Sequence, residues 1–197
     1  MTHVSRETQE RLEEFADLVR QWNPRINLVA RSTLADLWAR HVEDSLQVSL
    51  IPAEDVSAWC DIGSGGGFPG VVVAIARPEI SVTLIESDLR KATFLRHACR
   101  TLSLNARVLS DRIENVEPQA APVVSARALA PLTDLLGLAS RHGMATTRYL
   151  FPKGVRHEEE IRIARKDWSF HIDLIPSAIE KGSVILDLQR VQRVSAR

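Results

Sequence analysis

Ten consecutive residues carry the densest chemical signal in this chain: Asp61-Ile62-Gly63-Ser64-Gly65-Gly66-Gly67-Phe68-Pro69-Gly70. An apolar run precedes them and a second one starts at Val71. Glycine allows the tight turns by which backbone approaches a ligand closely. Pro69 suits the first turn of a helix, where a missing N–H costs nothing. A glycine loop between strand and helix lies where open parallel sheets bind ligands. Two cofactor classes compete for it. Gly65 to Gly70 satisfies the dinucleotide fingerprint G-x-G-x-x-G, which on its own is a weak signal. Asp61 argues the other way, because a pyrophosphate would bring negative charge toward its carboxylate. The sulfonium and ammonium of S-adenosylmethionine bring positive charge instead. Asp61, Gly63, Gly65 and Gly67 are therefore read as a methyl-donor loop, with an NAD(P)-dependent oxidoreductase as the alternative.

Other chemistry-bearing residues follow at the ends of later apolar runs. Glu86 closes the second run, where an acid can accept both ribose hydroxyls of an adenosine. Asp111-Arg112-Ile113-Glu114 follows the third, and backbone groups of Ile113 and Glu114 could hold the adenine edge. The competing reading is an ordinary helix start with acids in its first turn. The fourth run ends in Ser125-Ala126-Arg127-Ala128, where the acceptor should sit. No Asp/Asn-Pro-Pro-aromatic motif for exocyclic amines is present. Neither Cys60 nor Cys99 falls on a loop where a pyrimidine-C5 nucleophile is needed. A guanine ring nitrogen, with a free lone pair and no proton to lose, fits better, since alignment supplies most of the acceleration. Arg127 could hold such a base or a phosphate; the plain alternative is an ion pair with Asp44 or Glu114. Arg40 with Asp44, and His41 with Ser45, stand four apart on one helix face. Six histidines without acids or cysteines at ligand spacing predict no metal site.

The elements that must position these residues are readable from periodicity. Leu12, Phe15, Val19 and Trp22 recur at helical spacing, and Asn23-Pro24 is expected to end that helix. Thr33 with Asp36 fits a capping box opening a second helix that carries Leu34, Leu37 and Trp38, closed by Ile51-Pro52. Strand-like runs then appear at Val56–Ile62, Val82–Glu86, Ala106–Ser110, Val123–Ala126, Tyr149–Phe151, Phe170–Ile175 and Val184–Gln189. Helical patterns, such as Leu89 to Leu102, fill the gaps between the first five. That alternation implies right-handed crossovers and a parallel sheet covered on both faces. Pro176 to Ser183 leaves no room for a helix, so the last two runs form a hairpin with an antiparallel strand at or near an edge. The expected fold is α/β: a mostly parallel seven-stranded Rossmann-like sheet with an antiparallel C-terminal hairpin strand and N-terminal helices. Residues 1–52 are read as a helical extension packed on the core, and 53–197 as the cofactor-binding domain.

Length and composition agree with one well-cored domain: 197 residues, 45% hydrophobic and 25% charged. The longest apolar run, Val71 to Ala76, is too short to span a bilayer, and the charged N-terminus lacks the apolar stretch of a signal peptide. Two cysteines fit no disulfide framework, consistent with reduced thiols in a cytoplasmic protein. Net charge is zero, which argues against a strongly basic nucleic-acid binder. Residues 141–197, however, hold 11 basic and 7 acidic side chains.

Several short motifs together resemble one family, the bacterial 16S rRNA guanine-N7 methyltransferases (glucose-inhibited division protein B). Arg25-Ile26-Asn27-Leu28 resembles its K/R-x-N-L segment, and Arg40-His41-Val42-Glu43-Asp44-Ser45 its R-H-x-x-D-S motif. Asp61 to Gly70 is similar to its D-x-G-x-G-x-G-F-P-G loop. Leu84-Ile85-Glu86-Ser87, Arg90-Lys91 and Phe94-Leu95 resemble the following block. Ser125-Ala126-Arg127-Ala128 and Phe151-Pro152-Lys153-Gly154 resemble its S-R-A and lysine-glycine segments. The resemblance implies a class I methyltransferase fold and S-adenosylmethionine as cofactor. It implies that Gly63, Phe68, Glu86, Ile113, Glu114 and Arg127 contact the cofactor. Arg40, His41, Asp44, Ser45, Arg127 and Lys153 would line the acceptor side, with Arg127 positioning rather than deprotonating. It further implies one guanine of the decoding-region loop of 16S rRNA, within the 30S subunit, as acceptor, and a monomeric enzyme. A small-molecule methyltransferase is the variant reading; it requires a closed acceptor pocket.

Overall fold

Successive residues of the central strands point to opposite faces of one sheet, and that alternation organises the molecule. A computed structural model describes residues 4–52 and 55–194. Among the described residues the sheet has seven strands in the order β3-β2-β1-β4-β5-β7-β6. They are β1 Ala58–Ile62, β2 Ser81–Ile85, β3 Ala106–Leu109, β4 Ala121–Ser125, β5 Gly143–Lys153, β6 Trp168–Pro176 and β7 Val184–Arg193. The first five pair in parallel, while β7 runs antiparallel between β5 and β6. Trp59, Leu84, Val123, Leu150 and Ile185 enter one core layer; Cys60, Ile85, Val124, Phe151 and Leu186 enter the other. This period of two follows from the pleat, and burial on both faces explains why the strands read as continuous apolar runs.

Helix α1 (Arg6–Ile26) covers the first face together with α3 (Gly70–Ala76) and α4 (Leu89–Thr101). Its stripe Leu12, Phe15, Ala16 and Val19 is fully buried in the layer that also holds Trp59 and Leu84. Helices α5 (Leu132–Ala139) and α6 (His157–Ala164) cover the second face. The ion pair of Arg148 with the nearly buried Asp187 ties β5 to β7. No helix of the described residues is long and apolar enough to cross a membrane.

The structure corrects four local expectations. Asn23-Pro24 does not end α1; the helix continues to Ile26 and stops at Asn27, whose φ of 46° is left-handed and whose N–H bonds Asn23 O. Pro24 sits in the last turn, where it forfeits a single hydrogen bond, and Asn tolerates the left-handed cap. Thr33 and Asp36 form no capping box. Thr33 closes a short 3-10 turn, Arg31–Thr33, and its hydroxyl donates to Ala30 O. The helical stretch starts instead as a π-helical segment, Trp38–Glu43, without a side-chain cap, and continues as α2 (Asp44–Ser49). Between β3 and β4 no helix forms. Only a turn at Arg112–Val116 fits, because eleven residues interrupted by Pro118 must return the chain to the sheet. β5 is far longer than its apolar centre, since its flanks pair at the sheet's end. The division at 52/53 adjoins residues 53–54, which lie outside the described residues.

Phe15 meets the ring of Phe68 at 5.2 Å and that of Phe94 at 6.4 Å, so α1 is bolted to the glycine loop and to α4 at once. Phe15→Ala should therefore cost about 3–5 kcal/mol, read as a lowered urea midpoint with the slope unchanged.

Candidate functional site at the carboxyl ends of the strands

The glycine loop runs from β1 into α3, and a buried carboxylate shapes it. Asp61, fully buried, accepts a hydrogen bond from Ser125 Oγ on β4 at 2.6 Å and from Gly70 N at 3.3 Å. Trp59 Nε1 donates to the same Ser125 Oγ at 2.8 Å. A Cβ at Gly70 would lie 2.6 Å from Asp61 Oδ2 and 2.4 Å from Leu84 Cδ2. The last glycine of the motif is thus required by the approach of α3 to Asp61. Gly63, Gly65 and Gly67 have φ of +64°, +54° and +92°, conformations that side chains rarely adopt. Burial pushes the Asp61 carboxyl up to about 6, against the opposing hydrogen bonds and the Arg127 charge.

Glu86 follows β2 and faces this loop. One oxygen accepts Gly65 N at 2.8 Å and the other Asp88 N at 2.7 Å. Each carboxylate oxygen retains a second lone pair, so the group can still receive ribose hydroxyls. Ile113 stands on the turn after β3. Its carbonyl accepts from His142 at 3.0 Å, which pins the turn to the 3-10 turn Ser140–His142 that follows α5.

Opposite the loop, Arg127 closes a network that the π-helical segment supplies. Its guanidinium donates to His41 Nδ1 at 2.6 Å and to Arg40 O at 3.2 Å, lies 3.6 Å from Asp44, and stacks 5.1 Å over the Phe68 ring. A guanidinium has no acceptor, so His41 Nδ1 must be unprotonated. Its Nε2–H then donates to Thr33 Oγ1 at 2.9 Å, and Thr33 passes its own proton to Ala30 O. Burial first, then the charges of Arg127 and Arg40, push His41 down to about 4. Burial also raises the Asp44 carboxyl and lowers Arg127, each partly offset by the other's charge.

These groups surround one open cavity of about 1040 Å³. Gly63, Gly65, Phe68, Glu86, Ile113, Glu114 and Arg127 line it, as do Arg40, His41, Asp44 and Lys153. Three expected residues do not: Asp61 lies beneath the loop, Gly67 packs against Phe15 and Val71, and Ser45 is buried with no partner for its hydroxyl. The face-sharing expected of spacing four also fails. Arg40 pairs with Glu180 at 3.1 Å rather than with Asp44, and His41 bonds Thr33 rather than Ser45. The wider π turn rotates these positions relative to α-helical spacing. Lys153 donates to Ala130 O at 2.8 Å and pairs with Glu160 at 2.7 Å. It braces the loop after Arg127 instead of standing free.

Sequence reading placed the β6–β7 loop in a hairpin but missed that it packs against the site. Its Ser177 Oγ reaches Asp44 at 3.4 Å, Glu180 pairs with Arg40, and Gln47 clips it through Pro176 O at 2.7 Å and Ala178 N at 2.9 Å. No local pattern signals this, because the partners stand about 130 residues apart. His142 was likewise invisible as a lone polar residue, and Thr33 was read as a helix cap rather than as the partner of His41. Cys60 and Cys99 are buried free thiols, pushed up chiefly by burial to about 12 and about 11, and neither lines the cavity. Neither can serve as a thiolate nucleophile there. Among the described residues no group of three His, Cys, Asp or Glu could hold a metal ion.

Comparison with known proteins adds a family match over residues 8–183 to GidB, described as rRNA small subunit methyltransferase G. Ribosomal RNA small subunit methyltransferase G of Cereibacter sphaeroides is 50% identical over 195 residues, covering 97% of this chain and 95% of that protein. The protein of the same name from Ruegeria sp. strain TM1040 is 49% identical over 195 residues, covering 97% and 95%. Among solved structures, M. jannaschii TYW2 in complex with AdoMet superposes with a TM-score of 0.59 at 15% identity, covering 78% of this chain and 76% of that one. That likeness concerns the fold.

The two perturbed groups act oppositely on stability. Asp61 binds its proton more tightly folded than unfolded, so it withdraws stability as pH rises from about 4 to about 6. His41 binds its proton less tightly when folded, so it adds stability as pH rises from about 4 to about 6.5. Relative to wild type, Asp61→Asn should gain urea-midpoint stability with rising pH over this window and His41→Gln should lose it. Difference curves that stay flat for both variants would refute these assignments.

Proposed function

The chain belongs to the GidB family, rRNA small subunit methyltransferase G, and we propose that it transfers the methyl group of S-adenosylmethionine to N7 of a guanine in the decoding-region loop of 16S rRNA. The observation that carries this reading is a single open cavity. One end presents a glycine loop with Glu86, and the other presents Arg40, His41 and Arg127.

The residues fit the cofactor. Gly65 lines the cavity with φ +54°, and a Cβ there would meet nothing closer than 3.8 Å, so it would project into open space. Glu86 matches a ribose diol, and the apolar wall of Ile113 and Leu138 suits a purine. The Asp61 side chain lies beneath the loop, where a carboxylate favours a cationic ligand over a pyrophosphate. That charge, acting through the loop rather than by contact, is the argument against an oxidoreductase.

When bound, S-adenosylmethionine supplies an electrophilic methyl group on a positively charged sulfur. The chain's own task is then to align a nucleophile and exclude water. N7 of guanine loses no proton on attack, so the reaction asks no general base of the acceptor side. His41 accepts a hydrogen bond from Arg127, so its lone pair is already engaged. Arg127 holds its planar donor group against Phe68 and keeps N–H groups beyond those bound by His41 and Arg40. N7 must stay free, so these donors would engage O6 or a phosphate. Asp44 and the His41–Thr33 relay are positioning groups for that guanidinium.

The acceptor side is open and Arg40 is exposed, which favours a macromolecule over a small molecule. We take the substrate to be 16S rRNA within the 30S subunit, the enzyme to be a cytoplasmic monomer, and residues 1–52 to be a helical extension of the 53–197 catalytic domain. Pre-formed ribosomal structure can supply the recognition that a net-neutral protein lacks.

The test is transfer of labelled methyl to small subunits from a strain lacking the protein, followed by chemical cleavage at 7-methylguanine. One labelled cleavage site in 16S rRNA is expected. Label without cleavage would overturn the N7 assignment, and no cofactor binding would return the loop to dinucleotides. In the same assay Arg127→Ala should lose about 10²-fold or more in kcat/KM, the scale of a misaligned reacting pair. Full activity in that variant would remove Arg127 from the mechanism.

A further inference from the structure

Two motifs place only their last residues in the cavity and are otherwise unused by the site described above: Arg25-Ile26-Asn27-Leu28 and Arg90-Lys91. Folding brings them together. Arg25 lies in the last turn of α1, Arg31 opens the 3-10 turn, and Arg90 sits in the first turn of α4. With Asn27 these three arginines line a surface depression of about 370 Å³. All three are exposed. Among the described residues Arg25 and Arg31 make no ion pair, and Arg90 reaches only Asp88 at 3.9 Å.

The depression and the cofactor cavity share their walls. Leu28, Val29, Ala30 and Lys91 line the cavity, while their neighbours Arg31 and Arg90 line the depression. The shared wall is stiff, because buried Asn23 accepts Val29 N at 2.9 Å through its side chain and Asn27 N through its carbonyl. Local charge favours an anion. The α1 carboxyl terminus contributes roughly half a negative charge, and Asp88 is engaged by Arg90 N and Lys91 N at 2.8 and 3.1 Å. Three guanidinium groups outweigh both.

We propose that this groove binds the phosphodiester backbone of the RNA beside the target base, holding the strand while the base enters the cavity. The inference rests on the reading that the substrate is ribosomal RNA. A phosphate contact fixes register without reading sequence, and guanidinium forks match phosphate oxygens. Because the groove abuts the cofactor wall, a strand held there lies beside the mouth of the cavity, and the contact contributes substrate binding rather than alignment of the reacting atoms.

The test compares wild type with Arg25→Gln/Arg31→Gln/Arg90→Gln in methyl transfer to small subunits across about 50 to about 200 mM salt. The triple variant should show a KM raised about 10-fold at the low-salt end and a log–log salt slope shallower by about 1–2. Its kcat and S-adenosylmethionine affinity should match wild type. Arg162→Gln/Lys166→Gln/Arg190→Gln removes equal charge at exposed positions on α6, the turn after it and β7 and should leave KM and slope unchanged. Unchanged KM and slope in the groove variant would overturn the proposal. So would equal effects in both triples, or lost cofactor affinity in the groove variant, which would mark the arginines as structural. Wild type that methylates no RNA would instead refute the functional reading on which the groove depends.

Discussion

The Asp61 carboxylate, sealed between β1, β4 and α3, is the constraint on which the rest of the site depends. It meets Ser125 Oγ and Gly70 N, and Trp59 Nε1 completes the set through Ser125. A buried charge is costly unless its lone pairs are satisfied. Here satisfying them joins the strand that begins the glycine loop, the helix that ends it, and the strand that leads to Arg127. The loop cannot relax outward without leaving Gly70 N and the carboxylate unpaired, and α3 cannot approach so closely with any residue larger than glycine at position 70. The glycine loop and the strand end that leads to Arg127 are therefore held in register by one buried side chain.

The acceptor end uses a related economy of protons. Arg127 can only donate, so its contact with His41 fixes the imidazole as neutral and aims its Nε2–H at Thr33. Thr33 in turn faces Ala30 O. Every group in this relay has one consistent hydrogen position, which stiffens a guanidinium whose long side chain is otherwise entropically costly to immobilise. Asp44 supplies the countercharge, and the β6–β7 loop covers it through Ser177 while Glu180 occupies Arg40. The π-helical segment makes this arrangement possible: a regular α-helix would have stacked Arg40 over Asp44 and His41 over Ser45.

Net neutrality conceals a local concentration of charge. The C-terminal third carries the excess of basic residues, yet many of the cations near the cavity and the adjoining groove come from earlier in the chain: Arg25, Arg31, Arg40, Arg90, Lys91, Arg112 and Arg127. Several cations of the C-terminal segment are committed elsewhere. Arg148 binds Asp187, Lys153 braces Glu160, and Arg165 and Arg193 stack on Phe170 and Trp168. A tally along the sequence therefore misjudges where a polyanion could approach.

The alternation of apolar runs, the glycine spacing and the acids at strand ends were enough to establish a doubly covered, mostly parallel sheet with a C-terminal hairpin, a glycine loop at its carboxyl edge and Glu86 facing it. These features are local: pleat period, helix period and left-handed glycine turns depend on residues a few positions apart. Tertiary structure alone decided that Asp61 lies under the loop, that Lys153 pairs with Glu160, that the helical run from Trp38 is π-wound, and that the β6–β7 loop closes over Asp44. Each depends on which buried polar group finds a partner dozens of residues away, and hydrogen-bond satisfaction across such distances leaves no periodic trace in the chain.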